Sequence, residues 1–227
     1  MYGIGVRVVM ENFDKMMEMV GLMFDGAGLT LEIFFTTLVF TLPVGLLVAL
    51  IRLSKFRPLS FLMEVYIWLM RGTPLMLQLL FIYYALPIVA DIRLPDFSAA
   101  IIAFVLNYAA YFAEIFRGGI QSIERGQYEA AKTLGMTYVQ TMRRIVLPQV
   151  IKRVLAPVSN ETITLVKDTS LVYVLAMNDL LRTARTIVQR EFDMTPFLVA
   201  AIFYLVMTLV LTKVFKKLEQ HYAVYDE

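Results

Sequence analysis

Long apolar runs, separated by short polar connections, dominate the pattern of this chain. A helix that crosses a lipid bilayer needs roughly 20 mainly apolar residues. Four segments approach or exceed that length: Leu29–Ile51, Leu59–Ala90, Ala99–Phe116 and Phe197–Phe215. The second is longer than one straight span requires and contains Arg71-Gly72-Thr73-Pro74, where we expect a break because proline interrupts a helix. The pattern predicts an all-α integral membrane protein.

A fifth, weaker span is predicted at Ile145–Val166. It carries two basic residues, an asparagine, a glutamate and two prolines, so hydropathy alone does not identify it. Charge does, because Lys and Arg concentrate in the cytoplasmic connections of membrane proteins. Thirteen of the 21 Lys and Arg residues fall in Arg52–Pro58, in Arg117–Arg153 and in the tail from Lys213. Five spans place all three stretches on one side, whereas four would separate the last two. We therefore expect five transmembrane helices, with the N-terminus outside and the C-terminus in the cytoplasm.

The five helices are expected to form one domain over residues 29–219, which includes a cytoplasmic connection at 117–148. In residues 1–28, apolar side chains recur at helical spacing among charged ones. These apolar residues are Phe13, Met16, Met17, Val20 and Phe24. The spacing predicts a short extracytoplasmic amphipathic helix, lying on the outer membrane surface or packed on the protein itself. Residues 220–227 are expected to form a cytoplasmic tail.

A shorter apolar run, Ser170–Met177, is too short to span and is predicted to be a re-entrant piece. Asn178 follows it and is a residue type that accepts hydrogen bonds from the first turn of a helix. We expect Asn178 to be the N-cap of a helix that runs toward Phe192.

Composition excludes several classes of function. The chain is 59% hydrophobic, with a mean hydropathy of +0.68, so part of its solvent is lipid. It has no cysteine, which excludes disulfides and thiolate metal sites, and its single histidine, His221, excludes a His-rich metal site. A net charge of +2 is too small to indicate a nucleic-acid partner. We expect no catalytic residue and no metal site.

A spaced motif stands out in the connection 117–148. Its residues are Glu129-Ala130-Ala131, Gly135, Ile145 and Leu147-Pro148. The first part predicts a short helix over Gln127–Leu134, with Glu129 in the first turn, where a carboxylate suits the helix dipole. Three of its residues share one face: Ala130, Ala131 and Leu134. Gly135 follows, where a left-handed residue commonly ends a helix. Adjacent alanines would let a partner surface approach closely.

The spacing resembles the EAA loop in the membrane subunits of ATP-binding-cassette (ABC) importers. Five further segments are similar, in order, to the polar-amino-acid permease family of type I ABC importers, and the resemblance covers nearly the whole chain from Leu29 onward. They are Arg71-Gly72-Thr73-Pro74-Leu75, Ala110–Gly119, Gly126–Ala131, Leu147-Pro148-Gln149 and Lys167-Asp168-Thr169-Ser170-Leu171.

The resemblance implies a subunit of an importer in the bacterial inner membrane. Two permeases, a second copy of this chain or a related one, would combine with two ATPase subunits and an extracytoplasmic amino-acid-binding protein. The chain has no G-x-x-x-x-G-K-[ST] phosphate loop, so we expect ATP and Mg to be bound by the ATPase and no cofactor in this chain. The segment 127–135 would contact that ATPase, through Glu129, Ala130, Ala131, Leu134 and Gly135.

Polar residues at membrane depth are costly and usually face a cavity or a protein partner. Two spans carry such residues at three- and four-residue spacing. The stripe in Ala99–Phe116 includes Asn107, Tyr108, Tyr111 and Glu114, and the stripe in and just after the weak span Ile145–Val166 includes Asn160, Glu161, Thr164 and Asp168. The candidate contacts to an amino-acid substrate are Glu161, Asn160, Arg71, Thr164, Asn107, Tyr111 and Gln78.

Glu161, with Asn160, is expected to contact the ammonium group or a cationic side chain of an amino acid. The alternative is an ion pair between Glu161 and Arg71 that holds helices together. Arg71 is the candidate for the substrate carboxylate, although the break at Gly72–Pro74 could present helix N-terminal amides instead. That break could equally serve only to fit the wall of the pore.

The sequence therefore predicts the pore-forming permease of an ATP-driven importer of polar amino acids, which works by alternating access. The alternative is a secondary amino-acid transporter or channel that works without an ATPase. An intramembrane enzyme would need a convergent catalytic set, and the sequence offers none.

Overall fold

The computed structural model describes the backbone of residues 2–223 and the side chains of residues 14–222. This part of the chain is all-helical and contains no strand, as expected. Its α-helices are α1 (Tyr2–Arg52), α2 (Arg57–Gly72), α3 (Leu75–Leu80), α4 (Leu86–Ala90), α5 (Asp96–Gln121), α6 (Arg125–Thr133), α7 (Tyr138–Thr141), α8 (Leu147–Asp168), α9 (Leu180–Glu191) and α10 (Thr195–Ala223). Two π-helical turns, Phe81–Ala85 and Met142–Val146, and a 3₁₀ helix, Thr169–Leu175, join successive helices.

Helix α1 runs for 51 residues without a break at the boundary expected at residue 28. The side chain of Phe13 lies outside the described residues. Met23 and Ala27 are buried against α9 and α10. The ring of Phe24 meets that of Phe203 of α10 edge to face, with centroids 5.0 Å apart. From Met23 onward, one face of the N-terminal part of α1 therefore packs on the protein itself.

The expected break in the segment 59–90 is present. Helix α2 ends at Gly72, α3 begins at Leu75, and the two halves meet at an angle of 106°. Thr73 is extended (φ −118°, ψ 145°), because the ring of Pro74 disfavours helical backbone in the residue before it. The hydroxyl of Thr73 donates to the carbonyl of Leu69 at 2.8 Å, which satisfies an acceptor at the end of α2.

Helix α5 is the centre of the fold and packs against α1, α2 and α8. Three of its aromatic side chains, Phe104, Tyr108 and Phe112, are almost fully buried. Small residues let α1 approach closely. A Cβ added at Gly45 of α1 would lie 2.9 Å from the Cβ of Phe112 and 3.2 Å from the carbonyl oxygen of Ala109. Small residues at such contacts are typical of helices that pack within membranes.

Three helices of the described chain are long and apolar enough to cross a membrane: α1, α5 and α10. The bent pair formed by α2 and α3–α4 is a fourth candidate, as a broken span or a re-entrant loop. The weak span expected at Ile145–Val166 is helical and corresponds to α8, which packs between α5 and α10. Because of its polar residues, α8 is not among the helices that are apolar enough to cross a membrane by composition alone.

The region between α8 and α10 differs from its prediction by one residue. The run after Asp168 forms a 3₁₀ helix, and Asp179, not Asn178, is the N-cap of α9. The carboxylate of Asp179 accepts the backbone N–H groups of Leu181 and Arg182 at 3.1 and 3.0 Å. Asn178 instead accepts from the side chain of Arg182. Both residue types suit an N-cap, so the sequence does not separate them.

Replacing Gly45 with alanine tests the contact between α1 and α5. We expect Gly45→Ala to lower the free energy of unfolding by about 1–3 kcal/mol, because the new methyl group would overpack against the Cβ of Phe112. Gly28→Ala is the matched control in the same helix, since its new Cβ would meet nothing within 4 Å. Thermal unfolding of the purified protein in detergent measures both. Equal melting temperatures would contradict a close approach at Gly45.

Candidate functional site

A polar pocket of about 550 Å³ lies at the break between α2 and α3. Its walls come from the break, from α5 and from α8. Its polar and charged lining side chains are Arg71, Thr73, Asn107, Tyr108, Tyr111, Glu161, Thr164 and Asp168. A concave site with a few convergent polar groups is typical of small-molecule binding sites, and this volume lies within their usual range.

Arg71 supplies the positive charge of the pocket. It lies in the last turn of α2, and its guanidinium carbon is 5.1 Å from the centre of the Tyr111 ring. A cation over an aromatic face is attracted by the ring electrons. Among the ion pairs formed by residues 14–222, none joins Arg71 to Glu161. The direct pairing considered as an alternative is therefore not formed, and both groups line the same pocket unpaired with each other.

Two carboxylates supply the negative charge. Glu161 and Asp168 lie seven residues apart on α8, which places them on one face of the helix. The Tyr108 hydroxyl donates to Asp168 Oδ2 at 2.7 Å and so fixes its orientation. Tyr108 and Asp168 were not among the candidate contacts, although both belong to the polar stripes. Their helical spacing from Tyr111 and Glu161 is the signal that could have identified them.

Asn107 and Gln78 brace the break. The Asn107 amide donates to the Met70 carbonyl and to Gln78 Oε1, both at 3.0 Å. The Gln78 amide in turn donates to the Met70 carbonyl at 2.9 Å and to the Thr73 hydroxyl at 2.8 Å. These bonds satisfy polar groups that the interrupted helix leaves without partners. Asn107 still lines the pocket, whereas Gln78 lies outside its lining.

Asn160 is exposed and does not line the pocket, although it precedes Glu161. Successive residues of a helix point about 100° apart, so the two side chains face different directions. Thr164 lines the pocket, and its hydroxyl donates to the Asn160 carbonyl at 3.0 Å. The lining thus includes five of the seven candidate contacts: Arg71, Asn107, Tyr111, Glu161 and Thr164.

A second feature lies in the connection between α5 and α8. Helix α6 ends as expected, because Gly135 has a φ of +69°, a left-handed conformation that glycine adopts without strain. The backbone N–H groups of Gly135 and Met136 donate to the carbonyls of Lys132 and Ala131, both at 3.0 Å. This pair of hydrogen bonds is a Schellman motif, which satisfies carbonyls at the end of α6.

The two adjacent alanines of α6 face different ways. Ala131 is fully buried within the chain, whereas Ala130 is exposed. The expectation that Ala130, Ala131 and Leu134 share one accessible face is therefore wrong for Ala131. Beyond α6, two further large apolar side chains are exposed, Tyr138 at 73% and Val139 at 70%, and Leu134 is exposed at 78%. We call Ala130, Leu134, Tyr138 and Val139 the loop patch. Contiguous exposed apolar residues mark interaction surfaces.

A third feature joins the loop to the pocket. Ile123, Val146, Val150 and Val154 form one buried cluster, against which the Tyr128 ring of α6 packs. The cluster connects α6 to the first half of α8, the helix that carries Glu161 and Asp168. The cluster therefore packs α6 against the helix that carries the acidic side of the pocket.

Residues 41–224 match the family model described as "Binding-protein-dependent transport system inner membrane component". The chain is similar to the arginine transport system permease protein ArtQ of Bacillus subtilis (strain 168), with 34% identity over 92% of this chain and 96% of that protein. It is also similar to the glutamine transport system permease protein GlnP of Escherichia coli (strain K12), with 37% identity over 88% of this chain and 92% of that protein.

Solved structures agree with these relatives. A chain from the crystal structure of an amino acid ABC transporter with histidines superposes with a TM-score of 0.84 and is 36% identical, covering 92% of this chain and 98% of that one. A chain of the MetNI methionine ABC transporter in an inward-facing conformation shares the fold, with a TM-score of 0.73 at 18% identity. This chain belongs to the family of inner-membrane components of binding-protein-dependent transport systems, the permease subunits of ABC importers, whose members work with an ATPase and a substrate-binding protein.

Proposed function

We propose that this chain forms the translocation pathway of an ATP-driven importer of polar amino acids in the bacterial inner membrane. The observation that carries the proposal is the pocket at the break of α2 and α3, which presents Arg71 and Glu161 to one space without pairing them. A free amino acid carries one carboxylate and one ammonium group and so needs two such charges. The names of the relatives, which include arginine and glutamine permeases, favour the same class of substrate.

The substrate carboxylate contacts Arg71 in this proposal, and the substrate ammonium group or a cationic side chain contacts Glu161. Thr164 and Tyr111 line the same pocket. Charge-assisted hydrogen bonds of this kind are the stronger ones in proteins. The lining holds two carboxylates and one guanidinium, so a zwitterion leaves Asp168 without a cationic partner. An amino acid with a cationic side chain complements all three charges and is the substrate that the pocket favours.

The proposed topology has five spans over residues 29–219, with the N-terminus outside and the C-terminus in the cytoplasm. Residues 1–28 are extracytoplasmic and residues 220–227 form a cytoplasmic tail, of which 224–227 lie outside the described chain. Helix α8 is the weak, additional span. Its polar residues are compatible with a position in the membrane because Glu161, Thr164 and Asp168 line the pocket. The concentration of Lys and Arg at 52–58, at 117–153 and beyond 213 supports this orientation.

Coupling to ATP hydrolysis is proposed to occur in the connection 117–148. The loop patch docks on a separate ATPase, which binds ATP and Mg, while this chain holds no cofactor. Glu129 lies in α6 beside the patch, and Gly135 and Ala131 shape it from within. Two permeases, identical or related, and two ATPases would complete the assembly, with a binding protein on the outer side. Movement of α6 is transmitted to α8 through the buried cluster of Ile123, Val146, Val150 and Val154.

Replacing Glu161 tests the substrate contact. We expect Glu161→Gln to weaken amino-acid binding by roughly 10- to 100-fold, because a hydrogen bond to a charged group contributes about 1.5–3 kcal/mol. Equilibrium binding of labelled amino acid to the purified permease–ATPase complex, without the binding protein, measures this directly. Asn160→Ala is the matched control, since Asn160 is adjacent but does not line the pocket. Unchanged affinity in Glu161→Gln would reject the contact.

Competition binding to the same complex tests the preference for a cationic amino acid. Arginine or lysine should displace the labelled substrate at lower concentrations than glutamine. Asp168→Asn should reduce that preference by about tenfold, because it removes one of the two carboxylates while its amide can still accept the Tyr108 hydroxyl. Tighter binding of glutamine than of arginine or lysine by the unmodified complex would leave only the contact to a substrate ammonium group.

A bulky residue on the loop patch tests the coupling. Ala130→Trp is expected to reduce uptake per ATP hydrolysed by more than tenfold, because the indole would hold the ATPase surface away from α6. Lys132→Trp is the control, since residues two positions apart lie roughly 200° apart around a helix. Ala131→Trp is less informative, because Ala131 is buried within the chain and the substitution would disturb the loop itself. Normal uptake in Ala130→Trp reconstituted with its ATPase would exclude docking at this position.

A further inference from the structure

A second cleft, of about 950 Å³, lies between the start of α8 and the end of α10. It is separate from the polar pocket and shares no lining residue with it. Three basic side chains line it: Arg144, Lys152 and Arg153. None of the described residues that line this cleft is acidic. The charged side chains of the described lining are thus all basic, and an occupant with negative charge would complement them.

The cleft lies beside the end of α10, beyond the apolar run of that helix. Helix α10 is apolar over most of its length, and its apolar run gives way to Lys213, Lys216 and Lys217. Tyr222, slightly further along α10, lines the cleft. Tyr and Lys are enriched at the level of lipid headgroups, where an apolar body meets a polar tip. We therefore expect the basic residues of the cleft to lie near the lipid headgroups.

The rest of the lining consists of Gln149, Tyr222 and three apolar residues, Ile145, Pro148 and Ile151. Ile151 is 38% exposed and the neighbouring Leu147 41%, so the apolar wall continues onto the outer surface of α8. A groove that combines cations at headgroup depth with an adjoining apolar surface complements an amphiphile with an anionic head. A soluble anion would use the cations but leave the apolar wall without a partner.

The cations differ in how they are held. The Arg153 guanidinium donates to the backbone carbonyl of Ser122, in the turn after α5, which fixes its position. The Arg144 side chain makes no hydrogen bond or ion pair with the residues 14–222 whose side chains the structure describes. Arginine is well suited to phosphate because its planar guanidinium offers two parallel donors. Arg144 is therefore the residue placed to bind a phosphate.

We propose that this cleft binds the headgroup of an anionic phospholipid, with its phosphate on Arg144, the charge of Lys152 nearby and an acyl chain along Ile151. The lipid occupies the junction between α8, which bears the acidic residues of the pocket, and α10. The cleft also adjoins the π-helical turn Met142–Val146, through which the connection 117–148 enters α8. The bound lipid braces that entry.

Native mass spectrometry of the delipidated permease–ATPase complex, titrated with phosphatidylglycerol or phosphatidylcholine, tests the proposal. Phosphatidylglycerol should bind more tightly than phosphatidylcholine. Arg144→Gln/Lys152→Gln should lower its affinity by about 30-fold, because each cation near an anionic lipid contributes roughly fivefold. Equal affinity for the two lipids, or an unchanged affinity in the double variant, would overturn the proposal.

Three control variants keep the result interpretable. Arg143→Gln makes the same change of charge at the preceding residue, which is exposed and does not line the cleft, and should leave phosphatidylglycerol binding unchanged. Arg144→Lys/Lys152→Arg keeps both charges and should retain binding. If the neutral double variant does not assemble, the single variant Arg144→Gln should still lose about fivefold. Equal losses in Arg143→Gln and Arg144→Gln would reject a specific site.

Two further experiments distinguish binding of a lipid from binding of another anion. Inorganic phosphate and glycerol 3-phosphate at millimolar concentration should not displace phosphatidylglycerol, because they lack the acyl chain. Displacement by either would show a soluble-phosphate site and overturn the lipid assignment. The full chain and a chain that ends at Tyr222 should bind the lipid with equal affinity. Binding only after this truncation would mean that the acidic tail, with Asp226 and Glu227, occupies the cleft instead.

Discussion

The hydrogen bonds that Asn107 and Gln78 make to the end of α2 are the interaction on which the pocket depends. A helix interrupted inside a membrane leaves backbone carbonyls that lipid cannot satisfy. Here the carbonyl of Met70 accepts from the amides of both Asn107 and Gln78. Because these bonds join α2, α3 and α5, the break at Gly72–Pro74 can persist as a fixed corner. That corner places Arg71 at the wall of the pocket instead of within a straight span.

Helix α5 combines packing and binding. Its small residues, including Ala109 and Ala113, are buried and let the helix at Gly45 approach within van der Waals distance. One turn of the same helix presents Asn107, Tyr108 and Tyr111 to the pocket. Close packing fixes α5 between α1 and α8, and this fixed position determines where its polar side chains lie. The pocket is therefore held by a core element and not by a mobile loop.

The sequence predicts what local chemistry determines. Pro74 predicts the break, and helical spacing predicts the polar stripes. Gly135 predicts the left-handed end of α6. The hydrogen bonds that Gln78 and Asn107 donate were not predictable, because their acceptors are available only once the helix is broken. The buried position of Ala131 could not be read either, since a nine-residue helix has no long-range pattern to orient it. Asp179 and Asn178 have the same capping chemistry, so only the backbone path chooses between them.

The separation of Arg71 from Glu161 has a physical origin that the sequence does not reveal. Opposite charges in one low-dielectric space attract strongly, and a direct ion pair would close the pocket. Arg71, however, stacks on Tyr111. It also lines a neighbouring cavity of about 320 Å³, in which Glu64 pairs with Arg52 and Glu114 pairs with Arg117. The guanidinium thus has an aromatic neighbour away from Glu161, and this contact reduces the free energy that it would gain by moving across the pocket. Asp168 is likewise held by Tyr108. Two opposite charges are in this way kept apart across one space, which is the arrangement that a zwitterion can bridge.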